Sequence, residues 1–191
     1  MAGQMYRITG WGLAATLALT GCGSAADTPT APERTVVAPS AVAPANPEAA
    51  QAAKDGADAY RKMLDAFVAA SNKGAADSPE LAKYATGRAL LMMQGILGNY
   101  RSSGLRAQGT PKIAEPTVTE ITPATNPTTV TIVGCIDQSG WQFVDADGKP
   151  AEMNRPGQPA TQGASAVDAS VTKDAAGWKV AEMTIAGVCA S

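Results

Sequence analysis

The chain has 191 residues, 45% of them apolar, and its 15 Lys+Arg against 17 Asp+Glu leave a formal charge of −2. One modest domain with some extra tail accounts for that length. There is no histidine, which removes imidazole acid–base chemistry, Ser-His-Asp and Cys-His nucleophile systems, and His-ligated zinc or haem. The mild acidity, with no Lys/Arg-dense stretch, argues against nucleic acid as a partner.

Residues 1–22 read MAGQMYRITGWGLAATLALTGC: one positive charge at Arg7, then an uncharged run ending in small side chains. This pattern predicts a secretory signal peptide over 1–21. A permanent span would need about 20 apolar residues, whereas the segment Ile8 to Gly21 offers 14, several of them Gly or Thr. Leu19-Thr20-Gly21-Cys22 resembles the lipobox of bacterial lipoproteins. The resemblance implies diacylglycerol on the Cys22 thiol, removal of the preceding peptide, and anchoring to the outer face of the cytoplasmic membrane. A diacylglyceryl group supplies the two chains that stable anchoring needs. The alternative is a plain signal peptide with a chance Cys at its end, giving a freely secreted protein.

From Gly23 to Ala50, Ala and Pro make up 14 of 28 residues, and prolines at 29, 32, 39, 44 and 47 oppose a continuous helix. Residues 22–50 therefore read as a lipidated Cys with a disordered Ala/Pro-rich tether, and 51–191 as the folded domain. Stretched at about 3.1 Å per residue, the tether would hold that domain up to about 90 Å from the membrane.

Tyr60, Met63, Leu64, Phe67 and Ser71 recur at helical spacing with Arg61, Lys62 and Asp65 between them, which predicts an amphipathic helix over roughly Ala49 to Asn72, stopped at Lys73-Gly74. Ser78-Pro79 opens a short helix to about Tyr84. Thr86 then caps a second long helix with a stripe of Leu90, Met93, Leu97 and Tyr100, broadened by Ile96 and ended by Ser103-Gly104. Beyond Gly104 the period changes. Val118 to Ile121, Val130 to Ile136, Val167 to Thr172 and Trp178 to Val188 read as four strands, separated by loops at Asn126-Pro127, Asp147-Gly148-Lys149-Pro150 and Asp174-Ala175-Ala176-Gly177. Helices first and hairpin-linked strands afterwards predict an α+β fold, with helices packed on one face of a curved, mainly antiparallel sheet.

With Cys22 assigned to lipid, Cys135 and Cys189 remain as an even pair in an exported chain, and a disulfide between them is the economical reading. Two buried free thiols, or a redox couple, are the rivals; a redox couple usually needs a close Cys-x-x-Cys.

Ala85-Thr86-Gly87-Arg88-Ala89-Leu90, Gly104-Leu-Arg-Ala-Gln-Gly-Thr-Pro111, Gly134-Cys-Ile-Asp-Gln-Ser-Gly-Trp141 and Gly177-Trp-Lys-Val180 with Cys189 together resemble a group of actinobacterial secreted proteins and lipoproteins with an NTF2-like domain. The resemblance covers about Ala52 to Cys189 and implies a half-open NTF2-like cone. That group often carries an acidic residue before the first Cys of the pair, where this chain has Gly134. NTF2-like cones serve either as binding and assembly modules or as isomerase- and dehydratase-like enzymes working with an Asp and a Tyr or His, so fold alone does not choose.

The candidate pocket residues are Tyr60, Tyr84, Tyr100, Asp137 and Trp141. A Tyr on a helix stripe is more often core than a donor to substrate. Asp137 is either a cone carboxylate with a raised pKa or the first residue of the turn Asp-Gln-Ser-Gly, and the turn is favoured. VDADGKP has two of a calcium loop's acids but lacks its spacing, so Asp145 and Asp147 read as a hairpin turn, and no metal or cofactor is implied. Gly140-Trp141 and Gly177-Trp178 each set an indole after a turn glycine, suited to packing at a strand end or, if exposed, to a partner patch. These signals predict a lipid-anchored, non-catalytic binding module for a partner protein or small apolar ligand, with a homodimer as a further candidate assembly. The alternative is an enzyme using Asp137 with a Tyr; a wall-associated spacer is a third reading.

Overall fold

The computed structural model describes residues 35–36, 39–151 and 163–189. The expected signal peptide, Cys22 and half of the expected tether lie outside the described residues. No helix among the described residues is long and apolar enough to cross a membrane.

Three helices lead. The first, α1 (Pro47–Lys73), begins two residues before the sequence suggests, because Asn46 caps it: the Asn46 side chain accepts from the Ala49 N–H at 2.8 Å, with Pro47 in the first turn. It ends at Gly74 in the left-handed region, φ 63°, whose N–H reaches the Ala70 and Ser71 carbonyls. Its buried stripe is small-residued near the start (Ala49, Ala52, Gly56) and bulky later (Tyr60, Met63, Leu64, Phe67). A Cβ on Gly56 would sit 3.1 Å from that of Val130, so the early turns lie hard against the sheet. A short α2 (Leu81–Tyr84) follows, and the Ser78 hydroxyl accepts from the Leu81 N–H at 3.3 Å. Then comes α3 (Gly87–Ser102), with Thr86 at the cap position but without a side-chain bond there. The Thr86 N–H instead donates to the Val180 carbonyl at 2.8 Å, pinning the helix junction to the sheet.

The described residues contain eight strands: β1 (Thr35–Val36), β2 (Arg106–Gly109), β3 (Lys112–Ile113), β4 (Thr117–Thr122), β5 (Thr129–Asp137), β6 (Trp141–Val144), β7 (Ala164–Asp174) and β8 (Gly177–Cys189). The main sheet has the order β1-β8-β7-β5-β3, with β4 also on β5; every pairing is antiparallel except β1 with β8. The fold is therefore α+β, as expected, but the four-stranded sheet expected from sequence is a six-stranded one accompanied by a separate β2–β6 ribbon.

The tether expectation also needs correction within the described part. Thr35 and Val36 pair with Val188 and Cys189, and the Val42 N–H donates to the Val118 carbonyl at 2.9 Å. Backbone groups at both margins of the sheet satisfy themselves on this stretch, so it is not a free spacer throughout.

Alternation explains which face meets the helices. Val130, Ile132 and Gly134 of β5, Val167, Ala169 and Val171 of β7, and Val180 of β8 point inward and are buried. Thr129, Thr131, Asp168, Ser170, Thr172, Glu182 and Thr184 occupy the other face. At one end, Cys135 of β5 is joined to Cys189 of β8, with a Cα–Cα distance of 6.1 Å although β7 lies between them. Strands two apart in a flat sheet are about 9.6 Å from one another, so this end of the sheet is curled.

Candidate functional site

Tyr60 is fully buried on α1, facing β5 at Gly134. A Cβ on Gly134 would lie 2.8 Å from the Tyr60 Cζ and closer still to the hydroxyl. Only glycine admits the phenol, and an acidic side chain in this position would be driven into the core. Tyr60 Oη has no hydrogen-bond partner among the described residues, and burial pushes its pKa far up. It is sealed between helix and sheet, where it cannot reach a ligand.

Asp137 stands on the opposite face. Counting along β5 from inward-facing Gly134, Cys135 and Asp137 point away from α1. The Asp137 Oδ1 accepts from the Ser139 N–H at 2.9 Å, and Lys112 Nζ lies 3.9 Å from Oδ2. Hydrogen bonding from Ser139, with Lys112 adding a smaller attraction, holds its carboxyl below the usual range. A general base next to a carbonyl needs the reverse shift. The bond from the Ser139 N–H is that of a turn residue, in keeping with the turn assignment.

The other candidates separate as well. Tyr100 packs on Phe143 with ring centroids 4.4 Å apart, and Trp141 lies 5.4 Å from Phe143 and 6.0 Å from Phe67. Trp141 is buried, and its indole N–H donates to Asn72 Oδ1 at 3.1 Å, while the Asn72 amide donates to the Gly109 carbonyl at 2.9 Å. These aromatics fasten the β2–β6 ribbon to α1 through Phe67 and to α3 through Tyr100, each ring pair contributing about 0.5–1.5 kcal/mol beyond area burial. Tyr84 lies at the domain surface with Lys62 Nζ 5.8 Å from its ring centroid. Thus Tyr60, Tyr84, Tyr100, Asp137 and Trp141 do not converge on one pocket. Asp145 is a turn residue too, accepting from the Asp147 and Lys149 N–H groups at 2.9 Å each. Among the described residues, no group of three or more acids or thiols could hold a metal ion.

Two shallow surface hollows lie elsewhere, between the outer flank of α1 and the β7–β8 hairpin, one of about 400 Å³ and one of about 210 Å³, and Asp55 and Trp178 line both. Ala52, Pro127 and Trp178 line the larger hollow beside Glu48, Gln51, Asn126 and Lys173. Tyr84 and Lys62 line the smaller one. The hairpin turn Asp174-Ala175-Ala176-Gly177 sets Lys173 opposite Trp178, with the ammonium 5.9 Å from the ring centroid.

Sequence reasoning treated Gly140-Trp141 and Gly177-Trp178 alike, and the structure divides them: the first indole is core, the second is half-buried beside the hollows. The sequence does not mark Asp55, Glu48 or Gln51, and it marks Asn126 only as a loop residue. Helical spacing does place Glu48, Gln51 and Asp55 on one flank of α1, but nothing in a single sequence brings Asn126 or Trp178 beside them.

No protein-family model matches the chain, and no curated protein does. Among solved structures, the chain is similar to the intermembrane space region of the chloroplast protein ARC6, with a TM-score of 0.49 and 15% identity over 71% of this chain and 96% of that one. It also aligns with a domain of unknown function with a cystatin-like fold from Nostoc punctiforme, at a TM-score of 0.34 and 13% identity, covering 70% of this chain and 74% of that one. A phospholipid-binding protein from Ralstonia solanacearum, solved with a phospholipid, aligns at a TM-score of 0.34 and 14% identity over 70% of this chain and 79% of that one.

Proposed function

We propose that this chain is an extracytoplasmic lipoprotein, held on the outer face of the cytoplasmic membrane by diacylglycerol on Cys22, whose NTF2-like domain is a non-catalytic binding module. The observation that carries the binding reading is the separation of Tyr60 and Asp137 on opposite faces of one sheet, the phenol sealed in and the carboxyl committed to a turn. Tyr60, Met63, Phe67, Ile132 and Val171 belong to one buried cluster, which supports the non-catalytic reading. Two hollows lined by Trp178 lie outside, along α1. Export is supported by the Cys135–Cys189 bridge, which suits an oxidising compartment.

The test is fractionation of cells expressing the wild-type chain and Cys22→Ala. The wild-type protein should partition into detergent and carry the diacylglycerol mass on Cys22, while Cys22→Ala should appear in the medium or as an uncleaved precursor. A wild-type protein that is soluble and cut at another residue overturns the anchor.

A further inference from the structure

We infer that the outward face of α3 rests on the anionic surface of the membrane to which Cys22 anchors the chain, a second and non-covalent contact between domain and bilayer. This deepens the anchored-module reading and rests on it.

Charge singles out this helix. From Gly87 to Ser102 there is no Asp or Glu, while Arg88 stands in the first turn and Arg101 in the last. Both arginines are exposed and neither forms an ion pair among the described residues; Arg101 donates to the Gly74 carbonyl at 3.4 Å. Arg88, Leu91, Gly95 and Asn99 follow one another at helical spacing, all exposed, and so make one outward face. Leu91 is the most exposed large apolar side chain among the described residues, at 70%. Ile185 comes next at 64%, on β8, the strand against which α3 packs. Exposed leucine with arginine and no acid is the composition of helices that lie in the head-group layer, drawn there by apolar burial and by anionic lipid together. The other broad surfaces do not share it. The outer face of the sheet carries exposed Glu120, Asp168 and Glu182, which an anionic bilayer repels. Along α1, Asp55, Asp58 and Asp65 are mixed with Lys54, Arg61 and Lys62.

The path of the chain sets α3 on the side from which the anchor leaves. One edge of β8 is taken by β7; the other carries β1 at Val188 and Cys189, and Ala85 at Val180. Ala85 leads through Thr86 into α3, and the chain before Thr35 leads back to Cys22. Only residues 23–34 lie between Cys22 and β1, so even full extension keeps the lipid within about 45 Å of that edge. A tether free to Ala50 would reach much farther. The short leash raises the effective concentration of bilayer at α3, so a face with one leucine and two arginines need bind only weakly to stay down.

The test uses the intact lipidated chain in vesicles, with an environment-sensitive fluorophore on Gly95→Cys. A Cβ at Gly95 meets nothing within 4 Å, so the label leaves Leu91 in place. The same label on Asp168→Cys reports the outer face of the sheet. In vesicles containing phosphatidylglycerol, spin-labelled lipid should quench the label at 95 at least about twofold more than the label at 168. That difference should shrink in pure phosphatidylcholine, and also at about 1 M salt, where the Debye length is about 3 Å. Arg88→Glu and Leu91→Glu, both at exposed positions, should each lower quenching at 95 and leave that at 168 as it was. Equal quenching at the two positions overturns the contact, as does quenching at 95 that neither phosphatidylglycerol nor Arg88→Glu alters. A signal at 95 that follows protein density in the vesicle instead of lipid overturns it in favour of a second copy on this face. The mass of the Cys22 peptide from the same preparation separates the two readings. With diacylglycerol present, a failed contrast strikes the α3 contact alone; without it, the anchor falls and the inference with it.

Discussion

The Tyr60 hydroxyl rests on the backbone of Gly134, a helix phenol seated where β5 has no side chain to oppose it. Gly134→Ala should therefore destabilise the domain by about 1–3 kcal/mol through overpacking. Tyr60→Phe removes a buried hydroxyl that lacks a partner among the described residues, so it should be neutral or stabilising by up to about 1 kcal/mol. In the Tyr60→Phe background the cost of Gly134→Ala should shrink, because the hydroxyl is the atom a Cβ would meet first. Urea melts of the four proteins measure this cycle, and equal costs in both backgrounds would refute the contact.

The bridge between Cys135 and Cys189 closes a separation of 54 residues, and the chain-entropy model values such a loop at roughly 4 kcal/mol. Non-reducing peptide mapping should recover the two cysteine peptides joined. The double Cys→Ser variant should lose about 2–5 kcal/mol, with the curled end of the sheet, where β8 meets β1, opening first in hydrogen exchange. Two alkylatable thiols in the native exported protein would contradict the bridge.

How much of this was legible in one sequence depended on which contacts are local. The α1 stripe of Tyr60, Met63, Leu64 and Phe67 was readable because a helix records its buried face every three or four residues. β5, β7 and β8 were readable because one face of each meets the helices and the other does not. The β2–β6 ribbon was not: Arg106–Gly109 and Trp141–Val144 are short, and what makes them strands is one another, far apart along the chain. β1 has two residues and owes its state wholly to the edge of β8. The hollows were illegible for the same reason. Glu48, Gln51, Asn126 and Lys173 each read alone as ordinary solvated polar residues, and only the packing of α1 beside the β7–β8 hairpin collects them.

The Asp137 carboxyl titrates below the ordinary carboxylate range because Ser139 donates to it, with Lys112 nearby. Its folded-state pKa lies below the unfolded one. The interaction therefore stabilises the fold at pH above about 4, the ordinary value, and is lost as the pH falls through the lower folded-state value. Carboxyl-carbon NMR should show Asp137 ionised throughout the neutral range. Asp137→Asn keeps an acceptor for the Ser139 N–H but not the charge, so it should blunt the acid limb of the stability curve and lower neutral-pH stability by the same small amount. A carboxyl titrating near pH 7 would restore the general-base reading.

Asn46 ties the start of α1 to the loop between β4 and β5: its Oδ1 accepts from the Ala49 N–H at 2.8 Å and its Nδ2 donates to the Ala124 carbonyl at 3.0 Å. A domain boundary at Ala50, natural from composition, would remove both bonds and the first helical turn. Asn46→Ala should cost about 0.5–2 kcal/mol, the usual range for a lost cap. Asn46→Asp should cost less, since a carboxylate still accepts from Ala49 and suits the helix N-terminus, but it cannot donate to Ala124. A chain shortened to start at Asn46 should accordingly melt above one starting at Gln51. Equal melting of these two chains, with Asn46→Ala indistinguishable from wild type, would show that the cap contributes nothing and that the domain begins where the composition changes.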